Sequence, residues 1–451
     1  MDREIDILHA TRSRLPFGII GFLLFVLFLA YGSWWKKDAI RHDMTSYYAY
    51  LNAAVLHHDL TLAFDDGTYG DQFSWTTDAK NGRIFRMTMG VSLMESPFFL
   101  VADVGARLFG LERKAYSPYS VFFLFLGSFI YQLWGLWYLF KIVSAFFSEK
   151  TGLLVIAAMA LGTNLLYYTY EEALMAHSFN FFLYSALLYF TLSWHQKPKN
   201  KTAVKLGLIL GFLVLIRPIH ALAIFIPFLY DAQNKAKWLM LKNNLHHLLI
   251  MAFCGLLVIS PQLIYWKYFS GDWLYYSYGD EHFFFDAPMI LKGLFGFRKG
   301  WLIYTPLMVF AIIGLLPLFR KYKRFTIMMA IFLPIYMYVV FSWWCWWYGG
   351  GYGSRSMIDI LPLMALPLAA FFQVLIDQLK HGGKLVLMLV FLCVSLNIFQ
   401  INQYQSSLLH WDSMTWPLYK KIFLTNTWPS NYEELLSPPD YPAAKSGKRD
   451  I

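Results

Sequence analysis

A chain of 451 residues with 58% hydrophobic and 15% charged side chains is too apolar for a soluble globular protein, where charged residues make up about 25%. It is also too long to be one anchored span, so the composition points to a polytopic membrane protein. The net charge of +10 would suit nucleic acid if it were gathered on one face. Instead the basic residues fall mostly in short loops between apolar runs, where they act as topology signals, with Lys36, Lys37 and Arg41 as local exceptions on the external side, and no nucleic-acid partner is expected.

In chain order, the first apolar run, 16–34, is long enough to cross a bilayer and has no small-residue cleavage site, so it is a span and not a removable leader. Further spans are expected over 119–142, 151–168, 174–194, 204–217, 219–231, 245–266, 301–319, 325–343, 357–377 and 385–403. The pair 204–217 and 219–231 is short and meets at "RPIH", a helix break near a membrane face. The expected fold class is an all-α polytopic membrane protein with about eleven transmembrane helices. One unit covers 1–403, with a long external loop over 35–118, and a short external tail covers 404–451.

Orientation follows from the loops. With Arg3, Arg12 and Arg14 in the cytoplasm, the clusters Lys141/Lys150, Lys197 to Lys205, Lys235 to Lys242, Arg320 to Arg324 and Lys380/Lys384 all fall on the cytoplasmic side. Counting 88–110 as a further span would invert every later cluster. That segment, "TMGVSLMESPFFLVADVGARLFG", also carries Glu95, Pro97, Asp103 and Arg107, which a lipid-facing helix would bury at a cost. It is therefore expected to lie in the external loop as an interfacial or re-entrant helix with juxtamembrane character. Cys254, Cys345 and Cys393 are far apart and support neither a disulfide framework nor a metal site.

The unusual residues gather on the external side. In "IRHDMTSYYAYL", Tyr47, Leu51, Ala54 and Val55 recur at helical spacing, so 44–57 is an amphipathic helix on the membrane. Asp43 would be its N-cap, or a general base kept ionised by the helix terminus; both readings stand at this point. Glu171, Glu172 and His177 lie at the external end of one span in "YYTYEEALMAHSFN". An ionisable group among apolar residues is either a satisfied structural side chain or part of a site. Arg217 and His220 flank Pro218, where Arg217 either caps freed carbonyls or joins an anion site. Arg355 follows the glycines of "GGGYGSRS" and Arg86 precedes the 88–110 helix. The glycines let backbone approach a ligand but match no nucleotide-binding loop. His57, His58 and Asp59 have metal-binding chemistry at poor spacing, and no metal ligand set is assigned. One carboxylate and several cations facing one side suit an anionic, lipid-linked substrate.

Five segments in order carry a family resemblance. "D-x-x-x-Y" (Asp43, Tyr47) follows the first span, and "GRIFRMTMGVSLMESPFFLVADVGARLFG" resembles a second juxtamembrane helix. "GLILGFLVLIRPIHALAIFIP" resembles a "G-x-x-x-G…R-P" pair. "GWLIYTPLMVFAIIGLLPL" and "WWYGGGYGSRSMIDILPLMALPLA" resemble "L-x-Y-x-P" and "W-x-G-G-x-x-G-x-R" segments. Together they resemble the polyprenyl-phosphate-sugar-dependent membrane glycosyltransferases of the GT-C fold, near the mannosyltransferase- and arabinosyltransferase-like members, over about 16–403. The resemblance implies transfer of a hexose or pentose from a polyprenyl-phosphate donor to a glycan, lipid or protein acceptor, with inversion. The enzyme would work at the outer face of a bacterial plasma membrane.

Under that resemblance Asp43 is the catalytic base, and Arg217, Arg355, His220 and Arg86 lie near the donor phosphate. Tyr47, Glu172 and His177 border the acceptor cavity. A divalent metal (Mg or Mn) beside the carboxylate occurs in some such enzymes and not in others, and no other cofactor is expected. The chain departs from the pattern where "FRMTMG" replaces the usual "Y-P", and in having no large C-terminal domain, which leaves acceptor recognition to the loops or a partner. A transporter or flippase of lipid-linked saccharides is the alternative, disfavoured by the absence of an internal repeat. A ligase-like protein is disfavoured because the carboxylate follows the first span.

Overall fold

The structure, a computed structural model, describes residues 14–73 and 75–449. Arg3 and Arg12, which the orientation argument used, lie outside the described residues. The first helix, α1 (Arg14–Tyr31), has Phe17, Leu24 and Phe28 buried against the bundle. Leu15, Ile19, Phe22, Leu23 and Val26 remain exposed along its other side. An exposed apolar stripe of that size has its solvent in lipid. Phe28 stacks on Phe129 with ring centroids 4.9 Å apart.

Next come α2 (Asp43–Leu51), continued by a π turn over Asn52–Leu56, and a hairpin of β1 (Thr76–Ala79) and β2 (Gly82–Phe85) paired antiparallel. Then come α3 (Gly90–Leu108), α4 (Pro118–Phe146), α5 (Glu149–Leu161), α6 (Leu165–Tyr170), α7 (Ala176–Gln196) and α8 (Asn200–Ile216). A 3-10 turn over Pro218–Ile224 leads to α9 (Phe225–Leu229), α10 (Lys235–Asn243) and α11 (Leu245–Ser270). The chain continues through α12 (Ile290–Phe295), α13 (Trp301–Tyr304), α14 (Leu307–Lys321) and α15 (Lys323–Ser342). A 3-10 turn, Arg355–Met357, precedes α16 (Leu361–Gln378) and α17 (Gly382–Gln405), and α18 (Trp416–Ile422) and α19 (Tyr441–Lys445) close the tail.

The fold is that of a helical, integral membrane protein. Among the described residues six helices are long and apolar enough to cross a membrane: Leu15–Trp35, Pro118–Phe146, Leu245–Ser270, Lys323–Ser342, Leu361–Gln378 and Gly382–Gln405. Of the other expected spans, 174–194 is the unbroken 21-residue α7, and the rest appear as shorter or broken helices. Segment 151–168 is interrupted at Gly162, between α5 and α6. Segment 301–319 breaks at Thr305-Pro306, where proline withholds a donor. Segment 219–231 is largely the 3-10 turn that Pro218 starts. The hairpin in the first long loop was not anticipated in an all-α reading.

The 88–110 segment is one 19-residue helix, α3, outside those six. Its carboxylates are sheltered by protein: Glu95 and Asp103 are buried, and Arg113 closes on Asp103 at 2.6 Å, while Arg107 is exposed. A methyl built on Gly90 would stand 2.6 Å from the Ile216 amide nitrogen. The start of α3 therefore rests directly on the end of α8, and this contact places Arg217. Helices α8 and α11 also cross with backbones nearly touching, since Gly207 and Gly211 face Met251 and Gly255. Such small-residue seams let membrane helices gain close packing where the hydrophobic effect offers little.

The tail folds back on the loops. The guanidinium of Arg449 is buried and donates to the carbonyls of Ser342 and Trp343, each at 3.1 Å. Lys445 pairs with Asp280 at 2.9 Å. Trp344, Cys345, Trp346 and Trp347 pack with Ala444 and Tyr441 in a small apolar cluster of their own.

Candidate functional site

Asp43 is the first residue of α2, and the cap position before it is His42, whose φ of 52° turns the chain into the helix. The N-cap reading of Asp43 is corrected on this point. Its carboxylate turns across to Arg355 Nη2, at 2.9 Å, with both side chains largely buried. Burial pushes the Asp43 carboxyl up, but Arg355 and Arg217, with Arg86 behind them, outweigh that and hold it below its usual value.

The cations come from separate elements. Arg217 sits where α8 ends and Pro218 breaks the helix, its guanidinium 5.9 Å from the centre of the Tyr348 ring. Tyr47, one turn into α2, is buried with an unpartnered hydroxyl and lies within the field of Arg217. Arg355 opens the 3-10 turn that follows the glycine loop. In that loop Tyr348, Gly349, Gly351 and Gly353 all have positive φ. Only glycine adopts such angles freely, which is why the loop is rich in it. Arg86, just past β2, forms an ion pair with Glu281 and stacks between Trp75, at 5.0 Å, and Tyr278, at 5.3 Å. It belongs to the cluster but is already neutralised.

Several polar atoms around this cluster are buried without a hydrogen-bond partner: Tyr47 Oη, Tyr168 Oη, Arg86 Nε and Arg355 Nε. All are donors or hydroxyls. Donors left unsatisfied in a buried place are costly, and an anion among them would satisfy them.

Glu172 lies between α6 and α7, accepts from the Tyr167 hydroxyl at 3.1 Å, and is buried. Burial raises its pKa against the pull of Arg355. Glu171, by contrast, is tied to Lys36 at 3.0 Å and to Gln405 at 2.6 Å, a structural tether between loop and tail.

His177 and His220 are not beside Asp43. They meet Asp359, at 2.9 Å and 3.2 Å respectively. His220 also has Asn180 at 2.8 Å and Tyr184 at 3.1 Å, so both its ring nitrogens have protein partners and neither is free for a phosphate. His177 keeps one ring nitrogen, Nε2, buried without a partner. Asp359 was missed in the sequence, although a carboxylate opening an apolar run is a signal in itself. It lies four residues after Arg355, and His220 three after Arg217, so the His220–Asp359 contact ties together the two segments that carry these arginines. Lys299 and Glu281 were also missed, because nothing in the loop 267–300 distinguishes a buried charge from an exposed one.

A divalent metal needs several oxygen ligands; around Asp43 stand Arg355, Arg217 and Arg86, with Glu172 also within its field. Among the described residues no group of three or more His, Cys, Asp or Glu converges, His57, His58 and Asp59 included.

No curated protein matches the chain. The structure of ArnT from Cupriavidus metallidurans in the apo state is similar at 14% identity and a TM-score of 0.46, covering 81% of this chain and 61% of that one. The same protein bound to undecaprenyl phosphate matches at 15% identity and 0.47, covering 84% and 63%. The chain thus spans about three-fifths of the length of these structures. Residues 117–266, from the start of α4 through most of α11, match the sequence model of the dolichyl-phosphate-mannose-protein mannosyltransferases. Over that segment the resemblance to the membrane glycosyltransferases that use polyprenyl-phosphate sugars is borne out.

Proposed function

We propose that the protein transfers a sugar from a polyprenyl-phosphate donor to an acceptor hydroxyl, at the outer face of a bacterial plasma membrane. The observation that carries this reading is the convergence of Asp43 with Arg355, at 2.9 Å, and with Arg217, from segments far apart in sequence. The family match over 117–266 supports it, since that segment ends α8 and presents Arg217.

In this mechanism the acceptor oxygen attacks the anomeric carbon from the face opposite the phosphate. Its proton passes to Asp43, the C–O bond to the phosphate breaks, and the configuration inverts. Asp43 suits this role because it is ionised, as a base must be. The departing polyprenyl phosphate is an anion, and Arg217 and Arg355 are the fixed charges that stabilise it. Arg355 has two partners in this scheme: Asp43 when no donor is bound and the phosphate when it is. The acceptor is a glycan, a lipid or a protein, and Glu172 and Tyr47 border the place it would enter.

The test is Asp43→Asn in membranes or in purified enzyme, assayed for transfer from a polyprenyl-phosphate sugar. Loss of about 10²–10⁴-fold is expected for removal of a general base, with lipid-phosphate binding retained. Full transfer by the variant would remove Asp43 from the chemistry.

A further inference from the structure

Lys299 is 2% exposed, and among the described residues no carboxylate stands within ion-pair distance of it. Its ammonium donates to the carbonyl of Gly351 and sits 5.5 Å from the centre of the Tyr404 ring. Tyr404 in turn accepts from the Gly351 amide at 2.8 Å. A methyl built on Gly351 would lie 2.5 Å from Tyr168 Oη and 3.7 Å from Arg355 Cδ. One glycine, at a φ of 115°, is thus gripped on its N–H and its C=O by two side chains from other parts of the chain, with a third against its α-carbon. Four residues later the same backbone delivers Arg355 to Asp43.

A buried ammonium with no carboxylate in direct contact is expensive, and a neutral donor would satisfy one carbonyl at lower cost. The charge therefore needs a reason. We infer that Lys299 is a positioning residue for the phosphate site: its ammonium clamps the glycine turn so that Arg355 stands ready to leave Asp43 for an incoming anion. This rests on the reading of the arginine cluster as a phosphate site. An ammonium makes the stronger, charge-assisted bond to the carbonyl. It also repels the Arg355 guanidinium, which favours a state in which an anion joins the cluster.

The groups acting on Lys299 are Arg355 from the 3-10 turn, Glu172 from the α6–α7 connection, Asp412 and Tyr404 from the tail side, and Cys345 from the tryptophan loop. Burial, with Arg355 adding to it, lowers the lysine to about 7. The ammonium is therefore present below that pH and is lost as pH rises through it. The clamp weakens on the alkaline side.

The experiment uses the full chain in nanodiscs with undecaprenyl phosphate as probe, comparing wild type with Lys299→Arg and Lys299→Met between pH 5.5 and 8.5. Wild-type affinity is expected to fall about tenfold relative to Lys299→Arg as pH passes about 7, because arginine keeps its charge. The probe's own second ionisation is common to both and cancels. Lys299→Met is expected to bind weakly at every pH. Parallel pH profiles for wild type and Lys299→Arg, or wild-type affinity in Lys299→Met, would overturn the proposal.

A second measurement does not need the lipid. Amide exchange at Gly349 to Ser354 is expected to be about tenfold faster in Lys299→Met, and in wild type at pH 8.5 compared with Lys299→Arg at that pH. Equal protection in all three would overturn the clamp. If none of the proteins binds undecaprenyl phosphate while the exchange difference is seen, the clamp stands and the proposed donor fails.

Discussion

At the scale of single residues, the deciding feature is that Asp43 and Arg355 hold each other. A carboxylate depressed by arginines is a poor proton acceptor until one of them is drawn off, yet it is reliably ionised. The consequence for pH has a definite sign. With Arg355 present, the Asp43 carboxyl lies below its usual value, so the proposed mechanism predicts an acid limb of transfer at low pH. In Arg355→Ala, burial acts with less opposition, the carboxyl rises, and activity is lost at a higher pH as the medium is acidified. A pH–rate profile checks this; an acid limb that stays where it is in the variant would mean that another group sets it. Asp43 and Arg355 were legible in the sequence because each stands beside a structural break, a span end or a glycine loop. Asp359 and Lys299 were not, because burial of a charge depends on what packs over it, which a single segment does not reveal. His220 shows the reverse: a histidine next to an arginine looked like a ligand, and the fold turned it onto Asp359.

At the scale of elements, the glycine loop does work that its side chains cannot. Gly351 and Gly350 are neighbours with different demands. An alanine at Gly351 must adopt a φ of 115° and set its methyl 2.5 Å from Tyr168 Oη, whereas at Gly350 a methyl meets only a Trp411 ring carbon at 3.6 Å. Strain of that kind costs about 1–3 kcal/mol, and here it falls on the backbone that aims Arg355. Gly351→Ala is therefore expected to lose most of its donor affinity, and Gly350→Ala to keep it. Lipid-phosphate titrations of the two variants distinguish them, and equal affinities would place the loop outside the site. The run of glycines was visible in the sequence. Which of them is indispensable was not, because that depends on Tyr168, Tyr404 and Lys299 arriving from elsewhere.

At the scale of the whole molecule, hydropathy alone gives helices and a membrane, but not which apolar runs are unbroken helices. A composition window cannot see where Gly162 or the Thr305-Pro306 step divides an apolar run. The orientation remains a prediction, and it has a direct check. All three cysteines are buried, so the native chain offers a quiet background for thiol labelling. Ser277 is a poor reporter, because its hydroxyl is buried against the Arg86 carbonyl at 2.6 Å. Asp78, exposed in the hairpin, is a good one. Asp78→Cys is expected to react with a membrane-impermeant maleimide added outside intact cells; reaction only after the inner face is opened would invert the topology.

The seam between α8 and α11 makes the site answer to a place that no substrate reaches. Gly207 lies ten residues before Arg217, about 15 Å along the helix axis, and its α-carbon has room for no methyl against Met251. Helix α8 is thus a lever with its fulcrum among the bilayer-crossing helices and a guanidinium at its tip. Gly207→Ala would wedge the fulcrum apart and swing the tip, raising the donor KM several-fold without touching a single group that meets the sugar. An unchanged donor KM would show that α8 bends at the seam and does not pivot as one body.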